Sequence, residues 1–383
     1  MKESITIMKT YDLVLFGATG FTGKLIATYL SNHSLKENIN WAIAGRDFEK
    51  LQSLQNALIN SKPDIIVADI KNQESLNNLA SSTRLLMNTV GPFNWYGYPV
   101  IKACVENKTH YIDITGEPLF IHKIYDLYHE KAVSNGCTIV NCCGFDSIPA
   151  DFATWITVKK MNPFEPKVVK TFVRTNASFS GGTITTAIHA LYEQTKGNTV
   201  GNRLPKHPDA PKLKLKIHFS KEMNSWAIPM PVVDPHIVKR TAAQMPDVYG
   251  PFAYGQYFVR SSFWKVIKLL IPIAFISFFV RFEWFRNWLF RKFQSGTGPT
   301  VDERSKSKFE VKSFGESTSS NPKTIFSGGD PGYDETAKMF SESAFCIIEK
   351  ERNKQLINGV LTPVEAFGSN LVERLIQKGI HIE

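Results

Sequence analysis

Little in this chain of 383 residues suits a secreted, disulfide-built or metal-holding protein. The cysteines are five, Cys104, Cys137, Cys142, Cys143 and Cys346, an odd number with no paired CxxC spacing. Free thiols in a reducing cytosol are the simplest account. Zinc-ligand spacing, an aromatic RNA-binding signature and a basic recognition helix are all missing, so neither a metal nor a nucleic-acid partner is expected. Residues 1–10 hold no apolar signal core, and a cleaved secretory peptide is not expected. The apolar run Leu269 to Val280 has twelve residues, well short of the roughly 20 a helix needs to cross a bilayer. No internal repeat is visible. Acidic residues are the scarcer charge, 35 against 45 Lys plus Arg, for a net charge of +10. That excess suits an anionic cofactor or an anionic membrane surface. With 43% apolar and 12% aromatic residues, the chain is long and apolar enough for two domains with cores of their own.

What is present begins with Gly17-Ala18-Thr19-Gly20-Phe21-Thr22-Gly23. It follows the apolar run Tyr11 to Phe16 and opens an amphipathic stretch from Lys24 to Leu30. A strand, a glycine turn and a helix are what a dinucleotide pyrophosphate needs: the glycines bring the backbone close, and the helix N-terminus offers unpaired N–H groups. The next apolar run, Trp41 to Gly45, ends at Arg46, where a reader of the adenosine ribose is expected. An arginine there favours NADP(H), since a guanidinium pairs well with a 2'-phosphate; Lys50 is a second candidate. The alternative is a surface charge that merely opens the helix Asp47 to Ile59.

The alternation continues through Ile65 to Ala68 (leading to Asp69), Leu85 to Met87 (leading to Asn88-Thr89-Val90-Gly91-Pro92), Tyr111 to Glu117, and Thr138 to Val140 (leading to Asn141 through Ser147). Six strands alternating with helices read as an α/β fold with a doubly wound parallel sheet. Its ligands belong beyond the carboxyl ends of the strands. From about residue 152 the pattern changes. Lys167 to Arg174 is strand-like, Gly181-Gly182-Thr183 feeds a helix, and residues 196–235 read as long connections or a flap. The tail carries helical runs at Asp334 to Lys350 and Thr362 to Lys378, and such a tail often returns to complete the first domain. The expected division is 1–151, 152–330 and 331–383.

Residues 257–293 hold thirteen aromatic residues and seven Lys or Arg against one Glu. This composition fits a segment lying in a lipid interface, with Trp264, Trp284 and Trp288 at headgroup depth and Arg281, Arg286, Arg291 and Lys292 facing anionic lipid. A membrane or lipid-droplet surface bound through residues 262–293 is therefore an expected partner, and the protein is expected to be cytoplasmic and peripherally attached. A buried core helix or a homodimer contact is the alternative.

In its motifs the chain resembles the saccharopine dehydrogenase-like oxidoreductases, which include trans-acting enoyl reductases of bacterial lipid synthesis. The matching stretches are Tyr11 to Gly23, Ala44-Gly45-Arg46, Asn88 to Phe93, Tyr111 to Glu117, Gly144 to Asp151, Ser180 to Thr183 and Gly329-Asp330-Pro331-Gly332-Tyr333, in order over nearly the whole chain. The resemblance implies a discontinuous Rossmann domain, a second α+β domain inserted before the C-terminal return, and lipid-linked biology. It does not imply saccharopine as substrate, because no arginine constellation clamps an amino-dicarboxylate.

Hydride transfer asks little of the protein, since the cofactor carries the reactive hydride. Asn88 through Pro92 are expected beside the cofactor ribose and nicotinamide, with Gly91 giving clearance. Asp69 is expected to accept from the adenine amino group or to cap a helix. Reducing an enoyl thioester also needs a proton and a donor to the developing enolate oxygen. Tyr96, Tyr98, Glu117 and Asp146 are the candidates; Thr115, Cys143 and Ser147 lie near strand ends as well. Tyr98 is followed by Lys102 at i+4; a short-chain dehydrogenase mechanism is nonetheless disfavoured. Asp113 reads equally as a loop-orienting carboxylate, Cys142 and Cys143 as buried inert thiols, and His189 as a structural histidine. The leading function is an NADP(H)-dependent oxidoreductase acting on a lipid or acyl substrate. A dinucleotide-binding protein without turnover, docked on lipid, is the alternative; an amino-acid dehydrogenase is a third reading.

Overall fold

The computed structural model describes residues 9–177, 185, 188, 191–193, 195–196, 204, 207–293 and 298–383. The Ser180 to Thr183 motif and His189 lie outside the described residues. The chain forms two compact units.

The first unit takes the residues up to Thr115 with Phe120–Gly144 and Ala337–Leu361. Its strands are β1 (Tyr11–Phe16), β2 (Trp41–Gly45), β3 (Asp64–Val67), β4 (Thr83–Asn88), β5 (His110–Asp113), β6 (Thr138–Val140) and β13 (Gly359–Leu361). They order as β13-β6-β5-β4-β1-β2-β3 with every neighbouring pair parallel. Parallel strands are covered on both faces, so they read as continuous apolar runs. Leu13, Val14, Leu15, Ala42, Ile43 and Leu85 accordingly have no exposed surface. The helices α1 (Phe21–His33), α2 (Phe48–Ala57), α3 (Gln73–Ser81), α4 (Phe93–Glu106) and α5 (Pro118–Asn135) connect them. Local chemistry starts two of these: Asp47 caps α2 by accepting from the Lys50 N–H, and Asn72 caps α3 by accepting from the Ser75 N–H. The strand order reverses between β1 and β4, which makes their carboxyl ends the switch point of a Rossmann-type sheet.

The second unit takes Gly116–Leu119 and the described residues of Phe145–Thr336 and Thr362–Glu383. Its mixed sheet runs β14-β12-β11-β7-β10-β9-β8, with β7 (Lys167–Thr175), β8 (His218–Ser220), β9 (Ser225–Pro229), β10 (Phe252–Arg260), β11 (Phe309–Glu316), β12 (Lys323–Gly328) and β14 (His381–Ile382). Only β7 and β10 are parallel. Helix α6 (Ile148–Lys159) packs on β11 and β12.

The return of the tail divides in two. The helix Asp334–Arg352 ends in the first unit and β13 extends its sheet beside β6, but residues 362–383 belong to the second, where β14 pairs with β12. The expectation that all of 331–383 rejoins the first domain is corrected accordingly. The tail helix expected from Thr362 to Lys378 is two helices, Pro363–Phe367 and Ser369–Gln377, broken at Gly368, whose φ of +55° suits glycine.

Candidate functional site

In the first unit the glycine turn joins β1 to α1 at the switch point. Gly17 has φ +88°, and a Cβ there would meet Thr89 Oγ1 at 2.5 Å and Val90 Cγ2 at 2.9 Å. The Thr89 N–H and hydroxyl both donate to the Phe16 carbonyl, each at 3.0 Å, locking the end of β4 against the turn. A Cβ on Gly23 would collide with the Gly17 carbonyl and the Ala18 backbone. Gly20 is different: its φ is −68°, it is exposed, and a Cβ would meet only the Gly17 oxygen, at 3.3 Å. Gly20 is also the N-cap of α1 and supplies no side chain to cap it, and the first turn carries no acid. The first N–H groups of a helix lack partners within it, so this end is built for an anion. Thr19, Phe21 and Thr22 are half-buried around it.

Arg46 directly follows β2; it is exposed and makes no ion pair with any described carboxylate. Lys50 instead pairs with Asp47 at 3.2 Å, which gives it a helix-capping neighbour of its own. Asp69 lies two residues beyond β3 and closes a turn by accepting from the Lys71 N–H at 2.9 Å. It is half-buried. Gly91 is exposed and Val90 and Pro92 half-buried at the start of α4. Taken together, the glycine turn, Thr89-Val90 and the helix end fit a dinucleotide pyrophosphate, and a free guanidinium at Arg46 fits a 2'-phosphate.

The Asn88 side chain has partners within the protein. It is buried, donates to the Tyr111 hydroxyl at 3.0 Å and accepts from the Val90 N–H at 2.9 Å. Tyr111 in turn donates to Asp113 at 3.0 Å, and Asp113 also accepts from Asn141 at 2.7 Å and from the Thr115 and Cys142 N–H groups at 3.1 Å. Burial raises the Asp113 carboxyl to about 6 despite those four donors. This network ties the ends of β4, β5 and β6, so Asn88 and Asp113 orient loops. Sequence reading missed Tyr111 as its centre. The signal was available: Tyr111 and Asp113 are two apart on a strand and share a face. None of the five cysteines is in a disulfide and all are buried, and burial pushes the Cys143 thiol well up.

Among the proton-donor candidates, Tyr98 stacks edge-on against Phe120 with ring centroids 5.1 Å apart, while Tyr96 is half-buried on the same helix. Lys102 is committed to Glu106 at 2.9 Å. In the second unit Glu117 is buried, 2% exposed. Asp146 is reached by solvent although protein surrounds it, and that desolvation raises its carboxyl above the usual range. Its Oδ2 would lie 3.1 Å from a Cβ on Gly116, so the glycine leaves it room. Ser147 beside it has φ +140°, a strained value for serine. The Phe145 N–H donates to the Thr336 hydroxyl at 3.1 Å, which ties this loop to the Gly329 to Tyr333 turn, where Asp330 accepts from the Tyr333 N–H at 2.8 Å.

The family model for the saccharopine dehydrogenase NADP binding domain matches residues 13–140. A saccharopine dehydrogenase-like oxidoreductase of Rattus norvegicus is 34% identical, with 98% of this chain and 97% of that one covered. The chain belongs to the saccharopine dehydrogenase-like oxidoreductases. As a family member with this domain it binds NADP(H). A Mycobacterium tuberculosis relative that bears the name of a trans-acting enoyl reductase is 28% identical over 98% of this chain and 97% of its own. A lipid droplet localized protein of Caenorhabditis elegans is 30% identical over 95% and 96%. Saccharopine dehydrogenase (L-Glu forming) of Saccharomyces cerevisiae shares the fold, with a TM-score of 0.61 at 11% identity over 97% of this chain and 99% of that one.

Proposed function

We propose that the protein reduces an enoyl or related unsaturated acyl group on a lipid-linked substrate while attached to a lipid surface. The observation that carries the lipid part is the helix pair Phe263–Phe279 and Glu283–Lys292. In the longer helix Val266 is the one buried side chain, and Trp264, Ile271, Phe275 and Phe278 are exposed. The shorter helix exposes Trp284 and Trp288 while Phe285 and Leu289 pack inward with Val280 and Ile188. Cations stand over the rings: Arg281 lies 4.6 Å from the Phe278 centroid and Lys292 5.1 Å from that of Trp288. No helix among the described residues is long and apolar enough to cross a membrane. A soluble surface seldom exposes so continuous an aromatic patch, and an interface accommodates both rings and cations. The names of the nematode and mycobacterial relatives support the same reading.

The turn at Gly17 to Gly23 would hold the pyrophosphate of NADPH and Arg46 its 2'-phosphate, and the cofactor, when bound, would supply the hydride. Asp146, an exposed carboxyl that desolvation raises above the usual range, is the residue assigned to donate the proton to the alpha carbon. The test is NADPH oxidation with a long-chain enoyl thioester dispersed in phospholipid vesicles, the product identified by mass spectrometry. Turnover is expected, with Asp146→Asn lowering kcat about 100-fold and leaving NADPH affinity intact. Arg46→Ala is expected to cost about tenfold in preference for NADPH over NADH. Two observations favour a second reading without turnover: Glu117 is buried and Tyr98 packs on Phe120, so two of the four candidate donors are held in packing. NADPH binding with no oxidation by any enoyl substrate decides for that reading.

A further inference from the structure

At the start of the helix Phe263–Phe279 the second unit has an open surface pocket of about 790 Å³. Its walls include Arg174, Asn176, Asn224, Ser225, Arg260 and Lys265, and among the described residues no carboxylate lines it. The sheet brings the cations together. Strands β7 and β10 run parallel with Val173 opposite Phe258, so Arg174 and Arg260 reach the same end of the sheet. Strand β9 starts there too, with Trp226 opposite Arg260. Lys265 stands in the first turn of the helix Phe263–Phe279, five residues after Arg260.

Each cation is held in a different way. Arg174 donates to the Met223 carbonyl at 3.3 Å and to Ser225 Oγ at 3.2 Å, and its guanidinium lies 3.9 Å from Glu310. Arg260 stacks over Phe258 at 4.1 Å and makes no ion pair with a described carboxylate. Partial burial lowers its pKa, the direction expected of a cation short of counter-charge. Among the described residues, Lys265 reaches Ser261 Oγ alone, at 3.0 Å. The 17-residue helix that starts here has Ser262 as its cap and no acid in its first turn, so its positive end faces no fixed negative charge of its own. Three cations, a helix start and a volume well above that of a bare oxyanion describe a pocket for an anionic group with something attached.

The attachment is set by what lies beside it. Phe263 and Trp264 immediately precede Lys265 and are 48% and 72% exposed, so apolar surface begins where the cation cluster ends. We propose that this pocket binds the phosphate headgroup of an anionic glycerophospholipid, a phosphomonoester in particular, with Arg260 and Lys265 on the phosphate oxygens and Arg174 as the third charge. This inference deepens the lipid-surface reading and rests on it for the choice of a lipid over a free anion.

The experiment uses the NADPH-loaded protein and titrates dihexanoyl phosphatidic acid, below the concentration at which it forms micelles, in a calorimeter. Saturable one-to-one binding is expected. Arg260→Gln with Lys265→Gln is expected to weaken it about tenfold or more while NADPH affinity stays constant. Lys265→Gln alone, which leaves the Arg260–Phe258 stack in place, is expected to weaken it by a smaller factor and guards against misfolding of the double variant. No saturable binding, or binding unchanged in both variants, overturns the proposal. Inorganic phosphate that binds as tightly as the lipid overturns the lipid assignment and leaves an anion site. Sedimentation with vesicles of phosphatidylcholine and phosphatidic acid separates the two readings. Binding of the short lipid without vesicle binding sinks the surface reading and supports the pocket.

Discussion

Three glycines in one turn do three different things. Gly17 is needed for its left-handed backbone and for the space that Thr89 and Val90 leave it, and Gly23 for the close pass of the Gly17 carbonyl. Gly20 has an ordinary φ and one crowded neighbour at 3.3 Å, so the protein needs it less than a ligand does. Gly20→Val is expected to keep its circular dichroism and melting temperature within a few degrees and to lose NADPH binding by calorimetry. Normal binding would reduce the motif to a tight turn. The spacing of the three glycines was legible in the sequence, but their division of labour was not, because it depends on Thr89, seventy residues away. Asn88 shows the same limit. Its position at a strand end suggested a cofactor contact and did not show its partners within the protein, Tyr111 and the Val90 N–H. A buried polar group takes the partners its burial demands, and only the sheet order shows that Tyr111 on β5 lies next to β4.

At the scale of elements, the parallel sheet was readable because strands covered on both faces leave uninterrupted apolar runs between polar helices. The mixed sheet was less so. Of its strands only β7 carried a clear pattern, and β14, two residues long, joins β12 through backbone pairing that has no side-chain signature. The aromatic helix pair was visible in composition but its faces were not. Phe279 packs inward with Ile276 and Val280, whereas Phe275 and Phe278 are both 53% exposed. A helix of 17 residues is about 25 Å long, enough to lie along an interface with one face immersed. Each fully immersed Phe contributes about 1.5 to 3 kcal/mol and each nearby Lys or Arg about 1 kcal/mol. Phe275→Ser with Phe278→Ser is therefore expected to weaken vesicle binding at least about tenfold at every salt concentration. Raising salt should weaken the wild-type protein only partly, by screening the cations. Unchanged sedimentation of the double variant would leave the exposed rings to a protein partner.

For the molecule as a whole, charge and burial pull pH dependence in opposite directions. The excess of 45 basic over 35 acidic residues makes acidification add to a net positive charge, which disfavours the compact state. The second unit opposes this from within. Asp151 has no exposed surface, accepts from the Thr241 hydroxyl at 2.8 Å and from the Val364 N–H at 3.2 Å, and is pushed by burial up to about 7. Asp234 is raised to about 7 as well, by burial and then by its neighbour Asp146. A carboxyl raised above its unfolded value of about 4 binds a proton on folding between the two values. Its favourable contribution is complete below pH about 4 and is lost as pH rises through about 7, with a slope of at most about 1.4 kcal/mol per pH unit per group. The absolute stability mixes this with the global charge, so the informative quantity is the difference between Asp151→Asn and the wild type. That substitution keeps an acceptor for Thr241 but turns an amide toward the Val364 N–H, so the variant is expected to be the less stable protein at pH 5. It carries no carboxylate to ionise, so the deficit should shrink by about 2 kcal/mol or more between pH 5 and pH 8. Urea unfolding at both pH values, followed by tryptophan fluorescence, measures it. A deficit that stays constant or widens with pH would mean that Asp151 is ionised in the folded protein throughout, held by Thr241 and Val364 more strongly than burial opposes it.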